Sequence, residues 1–345
     1  MTLIKHLSAA VAGAILLTGA AASAETMRVM GQPVATGLIQ KNVEQPFFEA
    51  FAEKTGLDLT ADYQPVDVTG IKDTEQLRIL KDGLFDIVSL RLSQVSRDEP
   101  TILGLDLVGL NPDYETGKGT VEKFAPAVDA ALQEKFNTKL LGVWPFGPQV
   151  LFCEPEIASL SDLKGLKVRV YDQNLANFIS LVGGTPVPLS FPEVQHSLAR
   201  GVVDCAITGP SSANSAGWPE VTKYMLPIAF QLAMNGYGIN LDTWNALSPE
   251  DQEKLQAASD GLIADIWSYS EELFVDAVSC NTGGEVCETG TTYDLTLVEP
   301  TEADIALIGT AVTEVSFPAW KEACDAVNEG CSASWLETVG TAYEF

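Results

Sequence analysis

The chain has 345 residues, 46% hydrophobic and 19% charged, enough apolar material for one large domain or two medium ones and too ordered a composition for a disordered chain. Its formal charge of −27 at pH 7 argues against nucleic acid and anionic membranes as partners. In such a chain any bound anion must be held by individually placed cations.

The first 24 residues read as an export signal. Lys5 and His6 form a basic head, 7–20 is apolar and alanine-rich, and Ala22-Ser23-Ala24 is a cleavage sequence, so the mature chain is expected to begin at Glu25. The apolar run is too short for a membrane span, and no cysteine follows the cleavage site. A soluble periplasmic protein is expected.

From Thr26 the pattern alternates between strand and helix. Strands are predicted at 27–30, 57–63 and 84–90, with helices at 42–54 and 73–81 closed by Gly56 and Gly83. Phe47, Phe48 and Phe51 mark the apolar side of the first helix. The same β-α-β-α-β run recurs after residue 160, with strands at 166–171, 186–189 and 202–207 and helices at 175–182 and 191–199. Ser190 and Glu193 form an S-x-x-E capping box. The runs end alike, "LKDGLFDIV" (80–88) beside "LARGVVDCA" (198–206). Two α/β domains of similar build, each with a parallel sheet, are expected.

The stretch 140–153, "LLGVWPFGPQVLFC", reads as a strand crossing between the domains, and 226–244 as a second crossing. The expected division is 25–148 with 232–270 in one domain, and 149–231 with 271–345 in the other. Ser248-Pro249-Glu250-Asp251 is a helix start, and apolar residues at helical spacing carry that helix to about 278, long enough to run across the back of both domains. The six cysteines suit disulfides in an exported chain, and sequence proximity pairs Cys280 with Cys287 and Cys324 with Cys331, leaving Cys153 with Cys205. None of the spacings suits a metal site, and no cofactor is expected.

Ligands of open α/β sheets bind beyond the carboxyl ends of the strands. Arg169, in "LKGLKVRVY" (163–171), lies near such an end in a strand that helices would bury. A buried guanidinium needs an anion. Two readings stay open on these grounds: a ligand carboxylate held through paired hydrogen bonds, or an internal salt bridge with Asp162, Asp172 or Asp204. Arg91 follows the matching strand of the first run, and Thr208 ends its counterpart in the second. Trp144 and Gln149 in the crossing strand, and Trp218 beyond Thr208, either line a cleft or belong to the core. Enzyme signatures are thin: His196 is the sole histidine after the signal, and "GKGT" (117–120) lacks the upstream glycine of a phosphate loop.

With these residues in view, the chain resembles the dicarboxylate-binding (DctP-type) solute-binding proteins of tripartite ATP-independent periplasmic (TRAP) transporters. The resemblance rests on "SLSDLKGLKVRV" followed by "GGTPVPLSFPEVQHSLARGVVD". It implies a two-domain periplasmic-binding-protein fold with a hinged cleft and a long helix spanning both domains. It further implies capture of a small organic acid and its delivery to small and large membrane permease subunits, by a monomer that is not an enzyme. Arg169 matches the family's carboxylate-binding arginine and Phe191 an aromatic that packs on the ligand, while Arg91 and Gln32 fall at strand ends facing the cleft. Gln149 stands where many members carry a second arginine, and Thr208 near a frequent asparagine. The rival readings are a binding protein of an ABC importer, a sensor, and a periplasmic enzyme on the same scaffold.

Overall fold

A computed structural model describes residues 25–34 and 37–342. The export signal lies outside the described residues. A first sheet takes β1 (Glu25–Gly31), β2 (Leu59–Pro65), β3 (Ile87–Arg91) and β4 (Thr138–Pro145). A second takes β5 (Val150–Cys153), β6 (Lys167–Val170), β7 (Thr185–Pro188), β8 (Cys205–Thr208) and β9 (Tyr224–Leu226). The chain then returns to the first sheet as β10 (Met234–Asn240), and β11 (Thr296–Leu297) edges the second.

The two predicted β-α-β-α-β runs form equivalent parallel triplets, β2-β1-β3 and β7-β6-β8. Each triplet is extended by antiparallel strands from the crossings: β10 and β4 in the first sheet, β5 and β9 in the second. The third strand of the first run starts at Ile87 rather than 84, because Gly83 turns at φ +68° and Asp86 is engaged by Arg28 through hydrogen bonds of 2.8 and 2.9 Å. The helix predicted at 42–54 is interrupted. A π-helical turn at Gln40–Glu44 leads into Gln45–Glu49, and the chain breaks at Ala50 before Phe51–Thr55. The capping box at Ser190 and Glu193 forms as expected.

The predicted crossing strand 140–153 is two strands, β4 and β5, one in each sheet. Between them Gly147 adopts φ +111°, and a Cβ there would lie 2.8 Å from the Tyr114 hydroxyl. The second crossing runs antiparallel to the first and bonds to it: Phe146, Gly147 and Gln149 donate their amides to the carbonyls of Ala233, Leu232 and Gln231 at 3.1, 3.0 and 2.8 Å. Ala233 sits at φ +53°, which costs a residue with a Cβ roughly 1–2 kcal/mol. Buried Asp106 holds that kink by accepting the amides on either side of it, Leu232 at 3.0 Å and Met234 at 3.1 Å.

The long helix is Pro249–Asn281, capped by Ser248, and its 33 residues span about 50 Å. It packs on β4 in the first sheet and on the helix Pro210–Ser215 of the second. Trp267 donates to the Val143 carbonyl at 3.0 Å, and Asn281 to that of Pro210 at 3.0 Å.

The chain's end departs from the expected division. Phe317, Trp320, Cys324, Cys331 and Trp335 join the core of the first sheet, not the second, alongside Phe124 and Leu105. The indoles of Trp320 and Trp335 donate to the carbonyls of Pro100 and Gly104, both at 2.8 Å. A helix at Tyr114–Phe136, absent from the sequence reading, covers the same core. The cysteines pair as proximity suggested, 153 with 205, 280 with 287 and 324 with 331. Among the described residues no helix is long and apolar enough to cross a membrane.

Candidate functional site

The carboxyl ends of the two parallel triplets face each other, and the side chains there form two groups. In the second half, Arg169 lies on β6 and is 3% exposed. Its Nε donates to the Leu189 carbonyl at 3.1 Å and its Nη1 to that of Ile207 at 2.9 Å. The guanidinium rests over the rings of Tyr171 and Trp218, at 5.5 and 5.8 Å from their centroids. Phe191 stacks on Trp218 at 5.4 Å. Burial pulls Arg169 below the usual arginine range, to about 10, and the charge of Arg91 pushes the same way.

The internal salt bridge does not form. Asp162 accepts the amides of Ala158 and Ser159, Asp204 is engaged by Lys167, and Asp172 caps the helix Gln173–Leu181. Among the described residues no carboxylate makes an ion pair with Arg169. Its hydrogen bonds go to carbonyls and its faces to aromatic rings, while the buried carboxylate of Asp172 acts on it through charge alone, without a hydrogen bond.

In the first half, Arg91 ends β3. Its Nε donates to Gln32 Oε1 at 2.7 Å, its Nη1 reaches Asp73 at 3.3 Å, and its guanidinium lies 5.5 Å from the Phe146 ring centroid. Arg91 therefore has its own counter-ion. Gln32, fully buried, ties this arginine to the sheet by also donating to the Ser89 carbonyl.

Behind Gln32 lies a residue the sequence reading passed over. Glu44 is fully buried without a cation; its carboxylate accepts the hydroxyls of Tyr63 and Tyr237, each at 2.9 Å, and the Gln32 amide at 3.2 Å. Burial pushes its carboxyl above the usual range. A signal was present: 44, 47, 48 and 51 share helical spacing, so an acid stood in the stripe marked by the three phenylalanines.

Two hydrogen-bonded links join the groups. Gln94, three residues beyond Arg91, donates to the Tyr171 carbonyl at 3.0 Å. The Tyr171 hydroxyl donates to Gln231 at 3.0 Å, and Gln231 in turn to the Asp106 carbonyl at 2.6 Å. Gln149 and Thr208, each 5% exposed, stand at the facing ends of β5 and β8. A Cβ on Gly209 would lie 3.2 Å from Gln149 Nε2. Trp144 is in the core of the first sheet, packed on Phe146 and Tyr237 at 5.4 and 5.9 Å, and reaches the cleft only through Phe146. Trp218 is also a core residue, with Arg169 over its ring.

Two similar α/β halves joined by paired strand crossings, with a buried arginine at a strand end that no carboxylate hydrogen-bonds, define a two-lobed solute-binding protein. The chain belongs to the bacterial extracellular solute-binding proteins of family 7 (DctP), whose model matches residues 33–278. It is 27% identical over 250 residues to the sialic acid-binding periplasmic protein SiaP of Vibrio cholerae, covering 71% of this chain and 77% of that one. Its fold is similar to that of a TRAP periplasmic solute-binding protein from Desulfovibrio salexigens with bound orotic acid, with a TM-score of 0.78 at 16% identity, covering 92% and 99% of the two chains. A Bordetella pertussis extracytoplasmic solute receptor binding pyroglutamic acid superposes with a TM-score of 0.76 at 17% identity, covering 91% and 99%.

Proposed function

We propose that this chain is the extracytoplasmic receptor of a TRAP transporter, taking a small organic acid into the cleft between its two sheets and delivering it to a membrane permease of small and large subunits. One observation carries the reading: Arg169 is a buried cation that no carboxylate hydrogen-bonds, at the carboxyl end of a parallel strand, with a second arginine near enough to act on it by charge. A ligand carboxylate would supply the missing charge through the N–H groups that Leu189 and Ile207 leave free. The orotic, pyroglutamic and sialic acids of the related proteins all carry such a group. Phe191, Trp218, Gln149 and Thr208 shape the same end of the cleft, and Arg91, Gln32 and Phe146 the other. The crossings at 146–149 and 227–233 serve as the hinge, and closure excludes water and strengthens the ion pair. The role is capture and release, with no catalytic step.

A thermal-shift screen of organic acids on the mature protein tests this. An acid at about 100 times its Kd should add about 2.7 kcal/mol of stability. Stabilisation by neutral or cationic solutes, with none by any acid, would overturn the carboxylate reading.

A further inference from the structure

The carboxylates around Arg169 bear on when an acid is held. Asp172 follows that arginine by three residues and caps the helix Gln173–Leu181 with one oxygen, Oδ1 accepting the Leu175 amide at 2.9 Å. The other oxygen, Oδ2, is buried and makes no hydrogen bond among the described residues. Gln231 beside it has committed Nε2 to the Asp106 carbonyl at 2.6 Å. Asp172 makes no ion pair of its own among the described residues, and the positive charge that acts on it is Arg169.

A second buried carboxylate, Asp106, acts on Asp172 from the first half. It accepts the amides of Leu232 and Met234 and Nδ2 of Asn111. Burial pushes both acids up to about 6, and their mutual repulsion adds to this, while Arg169 pulls Asp172 back down. The other charges nearby are settled. Burial holds the Tyr171 hydroxyl well above its usual range, so it stays neutral. Arg91 acts on Arg169 and is itself matched by Asp73 at 3.3 Å. The π-helical turn Val312–Ser316, packed on the capped helix, brings only Glu314, which is exposed, and the strand Thr185–Pro188 brings no charge. Beyond Gln94, Arg97 is exposed and Asp98 is paired with Arg78.

We infer that Asp172 makes capture of an acid proton-linked: a carboxylate arriving at Arg169 drives a proton from solvent onto Asp172, so the protein holds its acid more tightly at low pH and releases it more readily at high pH. This rests on the carboxylate reading of Arg169. The incoming carboxylate takes over the positive charge that had steadied Asp172 and adds a like charge beside it, and both effects favour the neutral acid. Binding that takes up a proton strengthens as pH falls, and levels off once Asp172 is already protonated in the empty protein. A midpoint raised by about one pH unit on binding makes the affinity about tenfold greater below the window than above it.

Lactate, pyroglutamate, gluconate and galacturonate are the probes, because their carboxyls are ionised above pH 5.5 and bring no proton with them. The tightest binder is titrated calorimetrically into the mature protein at pH 5.5, 6.5 and 7.5. At pH 6.5 the titration is repeated in phosphate and in imidazole, whose different heats of ionisation count the protons taken up. The wild type is expected to bind about sixfold more weakly at pH 7.5 than at pH 5.5 and to take up about half a proton at pH 6.5. Asp172→Asn keeps a good helix cap and fixes the side chain neutral. It is expected to show no pH slope and no proton uptake, and to bind about sixfold more tightly than the wild type at pH 7.5, where a merely structural Asp172 would give weaker binding. Asp172→Ser, also a good cap, carries the same expectation and guards against a folding defect of the first variant. A wild-type affinity that is flat or rises with pH, an absence of proton uptake, or a slope that survives in both variants overturns the assignment while the carboxylate reading stands. A surviving slope would pass to the sole histidine among the described residues, His196, exposed on the helix Val194–Ala199. Binding of none of the four probes, nor of any acid in the wider screen, removes the carboxylate reading itself.

Discussion

Replacing Arg169 by methionine distinguishes a ligand-binding cation from a structural one, because the two make opposite demands on the empty protein. Burial has pulled Arg169 more than two units below the usual arginine range, to about 10. At 1.36 kcal/mol per pKa unit, holding the charge in place costs about 3 kcal/mol. Against this stand two hydrogen bonds from a charged donor, to the carbonyls of Leu189 and Ile207, worth about 1.5 kcal/mol each. The terms nearly cancel, so Arg169→Met should change ligand-free stability by no more than about 1 kcal/mol, a shift of roughly 2 °C for a chain of this size. Removing one partner of a buried ion pair would instead cost about 3–5 kcal/mol. The assay is a urea or thermal melt of wild type and variant, each with and without the best acid from the screen. The variant should lose the ligand-induced gain while its empty form melts close to the wild type. A loss of more than about 3 kcal/mol in the empty protein, or a ligand shift that survives, would refute this account of Arg169.

Asp106 and Asp172 are both pushed up to about 6 by burial. The folded chain therefore retains protons that the unfolded chain has released above pH 4, and stability should fall as pH rises from about 4 through 6, by up to about 3 kcal/mol per group, then level off. Urea midpoints at pH 4.5, 5.5, 6.5 and 7.5 would show this, with a shallower slope in Asp106→Asn; a midpoint that rises across the window, or an unchanged slope in the variant, contradicts it. Gln94→Ala removes a hydrogen bond between the two halves at the cleft, worth about 1 kcal/mol. The ligand-free melt should fall by about 1 kcal/mol, and ligand affinity should drop about fivefold if the contact also favours closure; equal affinity in a titration would show that it does not.

The parallel triplets were legible because local signals coincided: glycines after helices, apolar pairs opening strands, and the capping residues Ser190 and Ser248. The helix Tyr114–Phe136 was not, because Gly117, Gly119 and Pro126 punctuate it like a loop. Gly117 is there for a contact distant in sequence. A Cβ would come 2.5 Å from Leu232 on the second crossing, so the helix packs close to the strand beside the kink. The placement of Trp320 and Trp335 likewise depends on partners more than two hundred residues away, Pro100 and Gly104. At the site, an arginine in a buried strand was conspicuous from its period-two neighbours. Which way Trp144 faces was not, since a strand flanked by helices carries aromatic residues on both faces. Glu44 escaped because an acid in a helix is ordinarily solvated, and only the two tyrosines on different strands, Tyr63 and Tyr237, make its burial tolerable.

The long helix has a mechanical consequence. The crossings at 146–149 and 227–233 lie side by side and bond to each other, so in the hinge motion proposed above they would serve as a pair of pins on one axis. The helix Pro249–Asn281 is fastened on either side of that axis, by Trp267 to β4 and by Asn281 to Pro210. A helix of this length bends gently but hardly stretches. In that proposed motion it would act as a strut holding the two halves at a fixed separation where it is fastened to each.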